Sequence, residues 1–91
     1  MARLEQHDRI EFLASNAGWE LDGETIKKTY VLGDFSQAIG FVTRVAMLAE
    51  VADHHPDIDI RWNRVTIVLS THDEQSLTAK DTSLAIEIEA L

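Results

Sequence analysis

The sequence contains no cysteine, one proline and four glycines. Without cysteine, disulfide bonds and metal sites with thiolate ligands are excluded, and the composition fits a cytoplasmic protein. So few prolines and glycines leave no room for a long flexible linker. We therefore predict one domain over residues 1–91, short enough that folding buries only about 60–70% of the surface of the unfolded chain.

Positive charge is also scarce, because eight Lys and Arg stand against sixteen Asp and Glu, for a net charge of −8. This surplus disfavours binding to nucleic acids and to anionic membranes, since both carry negative charge themselves. No apolar stretch approaches the ~18 residues that span a bilayer, and the N-terminus has no apolar run of signal-peptide length. The composition therefore predicts a soluble intracellular protein that binds neither nucleic acid nor membrane.

The first third of the chain has the pattern of a helix followed by a hairpin. Apolar residues among charges predict a short helix over residues 3–14, packed loosely on the rest. Trp19-Glu20-Leu21 is a predicted strand, and an Asp22-Gly23 turn joins it to a second strand over residues 26–32. Lys28 interrupts the apolar face of that strand, which indicates a strand that begins near an exposed edge of the sheet.

The middle of the chain has the pattern of a long helix followed by a second hairpin. Ser36 is the expected N-cap of a helix over residues 37–53, whose apolar side chains recur at three- and four-residue steps. Alternating apolar residues predict a strand over residues 57–62. A tight turn at Asn63-Arg64 leads to a last strand over residues 65–71.

The chain ends with the pattern of a third helix. Thr78-Ala79-Lys80-Asp81 resembles a capping box with Asp in place of the usual Glu, and apolar residues follow at helical spacing. Strands joined by short turns pair antiparallel. We therefore predict an α+β fold of order α-β-β-α-β-β-α, a four-stranded antiparallel sheet with the helices packed on one face.

Three of the four histidines lie where predicted elements end. His54 and His55 end the long helix, before a proline at position 56 that forbids further helix, and His72 ends the last strand. The unperturbed pKa of histidine lies near neutrality, so its ring can give and take a proton at working pH. Loops at element ends commonly carry function, and we predict that these ends meet around a small-molecule site.

Each of these residues also has a purely structural explanation. A cationic histidine interacts well with a helix C-terminus, His72 can be solvated, and a capping Asp81 contributes about 1 kcal/mol. Glu50 can be a solvated helix residue, and His7 has no partner in sequence. Three histidines and an acid would also suit zinc. However, adjacent histidines do not converge easily on one ion and no HxH or HxxxH spacing is present, so we predict no metal.

Four segments together resemble the pterin-4a-carbinolamine dehydratases. They are Glu50-x-x-x-His54-His55-Pro56-Asp57, Trp62-Asn63-Arg64-Val65, Ser70-Thr71-His72-Asp73 and Leu77-Thr78-x-x-Asp81, and their spacing matches without gaps. The resemblance covers residues 17–91. It implies the same four-stranded sheet, assembly as a homodimer or homotetramer, and loss of water from a 4a-hydroxytetrahydropterin to give a quinonoid dihydropterin, with no metal or organic cofactor.

The resemblance also implies roles for individual residues. His54, His55 and His72 are expected to line the pterin site as its catalytic residues. Six further motif residues are expected to bind or orient the substrate or the histidines: Asp81, Glu50, Lys80, Pro56, Thr71 and Asp73. The reaction needs an acid for the leaving 4a-hydroxyl and a base for the N5 proton. We hypothesise that His55 and His72 act on opposite sides of the ring and that His54 holds the substrate, with the acid and the base left open.

The sequence departs from the family pattern at two places. The family usually has small, glycine-rich sequence just before Leu77, where this chain has Glu74-Gln75-Ser76. If a positive φ is needed there, Ser76 is expected to carry about 1–2 kcal/mol of strain. Ile58 stands where the family often has an aromatic residue, which changes the packing under the site. Neither departure removes an expected catalytic residue.

The resemblance leaves three functions open, and one of them, a catalytic domain that is now inactive, is indicated only by the Gln75-Ser76 replacement. The first is a dehydratase whose product returns to the tetrahydropterin used by aromatic amino acid hydroxylases, which implies a functional link to such an enzyme. The alternative is a non-catalytic pterin-binding or protein-interaction module, because animal members of the family also act as dimerisation cofactors for a transcription factor. The three histidines and Asp81 favour the enzyme, whereas an interaction module predicts an exposed apolar helix patch.

Overall fold

The computed structural model describes residues 2–91, and its helices and strands follow the predicted order. They are α1 Gln6–Ser15, β1 Glu20–Asp22, β2 Thr25–Val31, α2 Phe35–Ala52, β3 Asp57–Arg61, β4 Arg64–Leu69 and α3 Ala79–Glu89. The four strands form one antiparallel sheet in the order β1-β2-β4-β3. The predicted α+β fold is therefore confirmed.

The core lies between one face of the sheet and the helices. Val65, Ile67 and Leu69 alternate along β4 and are fully buried, because a strand of period two directs every second side chain to the same face. Ile26 of β2 lies beside them. The helices contribute Phe12, Ala38, Phe41, Val45, Ala49, Leu84, Ala85 and Ile88. The apolar stripe of each helix therefore meets the apolar face of the sheet.

Two local predictions about turns and caps were wrong. Asp34, not Ser36, caps α2, because its carboxylate accepts a hydrogen bond from the Gln37 N–H at 2.8 Å. Asp and Ser cap helices equally well, so residue type does not choose between them. Trp62 belongs to the turn and not to β3, since its φ is 50° and its side chain is 68% exposed. The hairpin turn is therefore Trp62-Asn63, and β4 begins at Arg64.

The first helix is firmly attached, contrary to the prediction that it packs loosely. Arg9 is only 5% exposed, and its guanidinium donates two hydrogen bonds to the Glu24 carboxylate, at 2.7 and 3.0 Å. Its Nε also donates to the Leu4 carbonyl at 2.9 Å. Phe12 packs edge-on against Trp19, with ring centroids 6.1 Å apart. A partly buried ion pair and an aromatic pair thus join α1 to the first hairpin.

Lys28 interrupts the apolar face of β2 because it has a partner on α3. Its ammonium contacts the Glu89 carboxylate, which also accepts hydrogen bonds from the Tyr30 hydroxyl at 2.6 Å and the Trp19 indole at 3.2 Å. Burial alone would raise the pKa of Glu89, but these hydrogen bonds outweigh it and lower that pKa. The predicted edge position was wrong, since β2 lies between β1 and β4 and the edges are β1 and β3.

Within residues 2–91, α2 is the one helix long and apolar enough to cross a membrane, with a mean hydropathy of 1.2 over 18 residues. The core helix of a globular domain passes the same test. α2 carries the charged residues Arg44 and Glu50 and buries Val45 and Ala49 in the core. One stripe of α2 therefore packs against the rest of the domain.

The Glu24 ion pairs predict how stability depends on pH. The guanidinium groups of Arg9 and then Arg3 hold the pKa of the Glu24 carboxyl well below its usual range. A carboxyl with a lowered folded-state pKa stabilises the fold fully above its unfolded pKa, about 4.3, and loses that contribution as the pH falls through the folded pKa.

We expect Glu24→Gln to lower the free energy of unfolding at pH 7, and its deficit relative to the parent to shrink as the pH falls below about 4. Urea unfolding followed by tryptophan fluorescence across this range measures both quantities. A deficit that stays constant with pH would show that the charge of Glu24 does not contribute.

Candidate active site

A cleft of about 160 Å³ opens where the end of α2 meets the site loop, residues 70–77, which joins β4 to the approach to α3. Its lining residues are Asp53, His54, His55, Ser70, Thr71, His72, Asp73 and Lys80. The structure thus brings three histidines from two distant segments into one cleft. Their meeting follows from the sheet, because β3 and β4 form a hairpin that returns the chain to the end of α2.

The end of α2 directs its two adjacent histidines to different surroundings. Asp53 is left-handed, with φ 50° and ψ 44°, and its N–H donates to the Glu50 carbonyl at 3.2 Å. The His54 N–H reaches back to the Ala49 carbonyl at 3.1 Å. These two bonds form a Schellman motif, which ends the helix and turns the chain. As a result His54 is buried, whereas the His55 side chain is 57% exposed.

A buried carboxylate holds His54. The Nε2 atom of His54 lies 2.5 Å from Oδ1 of Asp81, and Asp81 is fully buried. The other carboxylate oxygen accepts hydrogen bonds from the Thr71 hydroxyl at 2.8 Å and the Thr78 N–H at 3.0 Å. A carboxylate bonded to one ring nitrogen fixes the orientation of an imidazole. His54 is therefore held in a single orientation at the wall of the cleft.

The predicted capping box is present, and its Asp81 carboxylate also contacts His54. Thr78 is the N-cap of α3, and the Asp81 side chain accepts from its backbone N–H. The helix-cap explanation for Asp81 is therefore confirmed, and the same carboxylate also contacts His54. One carboxylate oxygen caps the helix and the other faces His54.

The other two histidines lie nearer to solvent. His55 Nε2 is 2.7 Å from Oε1 of Glu50, whose side chain is 78% exposed and lies outside the cleft lining. His72 is exposed and begins a short 3₁₀ turn, His72–Glu74. The last strand, β4, ends three residues before it, at Leu69. The prediction that His72 ends a strand was therefore wrong, although His72 does line the cleft.

The remaining predicted site residues divide into two groups. Lys80, Thr71 and Asp73 line the cleft, whereas Pro56 lies outside its lining and follows the histidine pair in the chain. Sequence reasoning missed two lining residues. Asp53 directly precedes the histidine pair, and Ser70 opens the Ser-Thr-His-Asp segment. Their position next to these motifs could have indicated that both line the cleft.

The site loop does not strain Ser76, contrary to the sequence expectation. The left-handed residue is Gln75, with φ 52° and ψ 36°, and its N–H closes the 3₁₀ turn on the His72 carbonyl. Ser76 pairs with Thr71 in a two-way backbone bridge, with N···O distances of 3.0 and 3.4 Å. The loop therefore closes without glycine, at a cost of about 1 kcal/mol on Gln75.

The arrangement suits proton transfer. Among residues 2–91, no group of three or more His, Asp or Glu side chains is arranged to hold a metal ion. His54 and His55 bond to carboxylates on different sides, Asp81 and Glu50. The cleft presents one imidazole held by a buried carboxylate and two exposed imidazoles, and imidazole is the side chain that most often serves in general acid–base catalysis.

Comparisons with known proteins show the family of the chain. The family model described as pterin 4 alpha carbinolamine dehydratase matches residues 2–91. A protein of Chloroflexus aurantiacus assigned as a pterin-4-alpha-carbinolamine dehydratase is 50% identical over 91 residues, covering 100% of this chain and 98% of its own length. One of Roseiflexus castenholzii with the same assignment is 53% identical over 90 residues, covering 99% and 97%.

Two solved structures are also similar. The crystal structure of a transcriptional coactivator/pterin dehydratase from Brucella melitensis superimposes with a TM-score of 0.92 at 36% identity, covering 98% of this chain and 97% of that one. A pterin dehydratase-like RuBisCO assembly factor of the alpha-carboxysome, at 22% identity and a TM-score of 0.66 over 79% of this chain and 83% of that one, shares the fold. The resemblance seen in the sequence is confirmed, and the chain belongs to the pterin-4-alpha-carbinolamine dehydratase family.

Proposed function

We propose that this protein is a hydro-lyase that removes water from a 4a-hydroxytetrahydropterin and releases a quinonoid dihydropterin. The observation that carries this proposal is the meeting of His54, His55 and His72 in one cleft, with His54 held by a buried carboxylate. A site for binding alone does not need three groups that exchange protons near neutral pH. Family membership supports the same reaction.

In the proposed mechanism, His55 and His72 exchange protons with the substrate. One imidazole takes the proton from N5 while the other, as its imidazolium, protonates the leaving 4a-hydroxyl. The C4a–O bond breaks, C4a and N5 form a double bond, and water leaves. His54 holds the ring, and its orientation comes from Asp81. Lys80 and Asp73 line the same cleft with charges of opposite sign, which suits the polar edge of a pterin.

We further propose a cytoplasmic role in recycling a tetrahydrobiopterin-type cofactor. The quinonoid product is an oxidised dihydropterin, so a reductase must follow before the tetrahydropterin can be used again. An enzyme that oxidises a tetrahydropterin with oxygen, such as an aromatic amino acid hydroxylase, must supply the carbinolamine. The proposed reaction itself uses no metal and no organic cofactor.

Replacing the exposed histidines tests the catalytic assignment. We expect His55→Ala and His72→Ala each to lower kcat/KM for dehydration by about 10²–10⁴-fold, because each removes a general acid or base. A phenylalanine hydroxylase generates the 4a-hydroxypterin, and decay of its absorbance is followed with and without the protein.

The matched control is His7→Ala. His7 is a histidine of α1 that is 75% exposed, pairs with Asp8 at 3.2 Å and does not line the cleft, so its loss should leave the rate unchanged. Folded His55→Ala and His72→Ala variants with parental rates would refute the assignment. A parent protein that binds pterin without accelerating the decay would instead support a binding module.

The buried network makes a separate prediction for stability. Asp81→Asn should lower the free energy of unfolding by about 1–3 kcal/mol, because the amide nitrogen cannot accept the hydrogen bonds that one oxygen of this buried carboxylate accepts. The control Asp57→Asn alters an exposed carboxylate of β3 and should change stability by less than about 0.5 kcal/mol. Urea unfolding measures both variants, and equal stabilities would show that the Asp81 charge does not organise the site.

A second candidate role, interaction with other protein chains, has its own supporting observation. Several large apolar side chains are exposed on α2 and on the second hairpin turn, namely Phe35 at 53%, Met47 at 66%, Val51 at 90% and Trp62 at 68%. Met47 and Val51 lie four residues apart and therefore on the same face of α2, and contiguous exposed apolar surface marks protein contacts. We propose that they serve assembly into a homodimer or homotetramer, with a non-catalytic interaction module as the alternative function.

Sedimentation equilibrium tests this assembly. We expect a mass of two or four chains at micromolar protein, and a lower mass for Met47→Asp and Val51→Asp, because a charge in an apolar interface loses its hydration. A parent that sediments as a monomer would refute the homo-oligomer. A monomer that also lacks dehydratase activity would support the interaction module.

A further inference from the structure

Glu24 lies outside the cleft, yet it contacts both ends of the site loop. It lies in the turn between β1 and β2, and its backbone carbonyl accepts a hydrogen bond from the Ser70 hydroxyl at 2.7 Å. Its carboxylate accepts another from the Leu77 N–H at 3.2 Å. The site loop carries Thr71 and His72, so one residue of a distant hairpin fixes the two ends of a segment that builds the cleft.

The Leu77 end leads directly to the carboxylate that holds His54. The Leu77 carbonyl accepts from the Leu4 N–H at 2.8 Å, and the Thr78 N–H of the same peptide unit donates to Oδ2 of Asp81 at 3.0 Å. A peptide unit is planar, so fixing its carbonyl also fixes the direction of its N–H. The direction of this N–H therefore sets where Oδ2 of Asp81 lies, and with it Oδ1 on His54.

Two arginines hold the Glu24 carboxylate in this position. Arg9, only 5% exposed, forms a two-bond pair with it, and Arg3 donates to it at 2.9 and 3.3 Å. Paired N–H···O bonds between guanidinium and carboxylate fix the orientation as well as the distance. These arginines hold the pKa of Glu24 well below its usual range, so the pair stays charged at the pH where histidines titrate.

We propose that Glu24, clamped by Arg9, is a positioning residue for the reaction. Its carboxylate holds the Leu77 N–H at the end of the site loop. Arg9, which it binds, also holds the Leu4 carbonyl, and the Leu4 N–H fixes the Leu77–Thr78 peptide and with it the geometry of the Asp81–His54 pair. The inference rests on the dehydratase function proposed above and adds a residue outside the cleft to it. Glu24 does not line the cleft and acts through Ser70 and Leu77.

Loss of this clamp should affect the chemical step more than the folding of the protein. Without the Glu24 carboxylate, the loop would keep the Thr71–Ser76 bridge. The Leu77 N–H would lose its partner, and Arg9, which holds Leu4, would lose its ion pair. The loop would then remain closed but would be held less rigidly against α3. Small displacements of catalytic groups cost large factors in rate, up to about 100-fold for 1 Å.

The test compares Glu24→Gln with the matched control Glu89→Gln. Glu89 is likewise a partly buried carboxylate that joins a helix to the first hairpin, through Lys28, Tyr30 and Trp19, and none of these residues lines the cleft. Both variants replace a carboxylate by an amide of the same size, and both remove an ion pair. A purely structural effect should therefore lower the melting temperature of both and leave turnover alone.

We expect Glu24→Gln to lower kcat by about 10-fold or more with a smaller change in KM, and to shift the pH–rate profile. Glu89→Gln should keep the kcat and the pH–rate profile of the parent. Glu24→Asp keeps the negative charge, but its side chain is one methylene shorter and the carboxylate lies farther from the Leu77 N–H. It is expected to lower kcat in the same way, and it provides the test if Glu24→Gln does not fold.

A second readout does not require the reaction. Imidazole signals of His54 and His72 in NMR spectra of the ligand-free protein should move in Glu24→Gln and stay in place in Glu89→Gln. If the signals move but the parent shows no dehydratase activity, the positioning role stands and the proposed reaction fails. If a folded Glu24→Gln or Glu24→Asp variant keeps the parental kcat, pH–rate profile and imidazole signals, the positioning role is overturned.

Discussion

The carboxylate of Asp81 is fully buried, and a buried charge is stable only when donors surround it. Its donors come from three places: the hydroxyl of Thr71 at the end of the second hairpin, the backbone of Thr78 at the start of α3, and the ring of His54 after α2. Satisfying this one group therefore brings together the three segments that build the cleft. The hydrogen bonds that join these three segments are therefore also the ones that shape the cleft.

A second carboxylate, that of Glu24, organises the opposite side of the site loop. It is more exposed than Asp81, but it binds Arg9 from α1 and the backbone of Leu77. The first helix thereby becomes part of the support of the cleft, although it contributes no residue to its lining. Two carboxylates of different burial thus hold one short loop. The buried Asp81 holds it beside His54, and the more exposed Glu24 holds it beside Arg3 and Arg9.

Backbone conformation decides which histidine is buried. The left-handed Asp53 ends α2 in a Schellman motif, after which His54 turns inward and His55 outward. Gln75 adopts a similar conformation and closes the turn that presents His72. Both positions would suit glycine or asparagine, and neither residue occurs there. The conformational free energy that each left-handed residue costs is offset by the backbone hydrogen bonds that close the two turns.

The sequence by itself determined the order of the elements, the two hairpins, the capping box and the motifs of the family, because these depend on periodicity and spacing within short segments. It did not determine how Asp81 combines two roles, why Lys28 interrupts a buried strand face, or where the positive φ falls in the site loop. The contact of Glu24 with Leu77 joins residues that are 53 positions apart. Only the tertiary structure decides such pairs, because they depend on which distant donors packing brings to a buried charge.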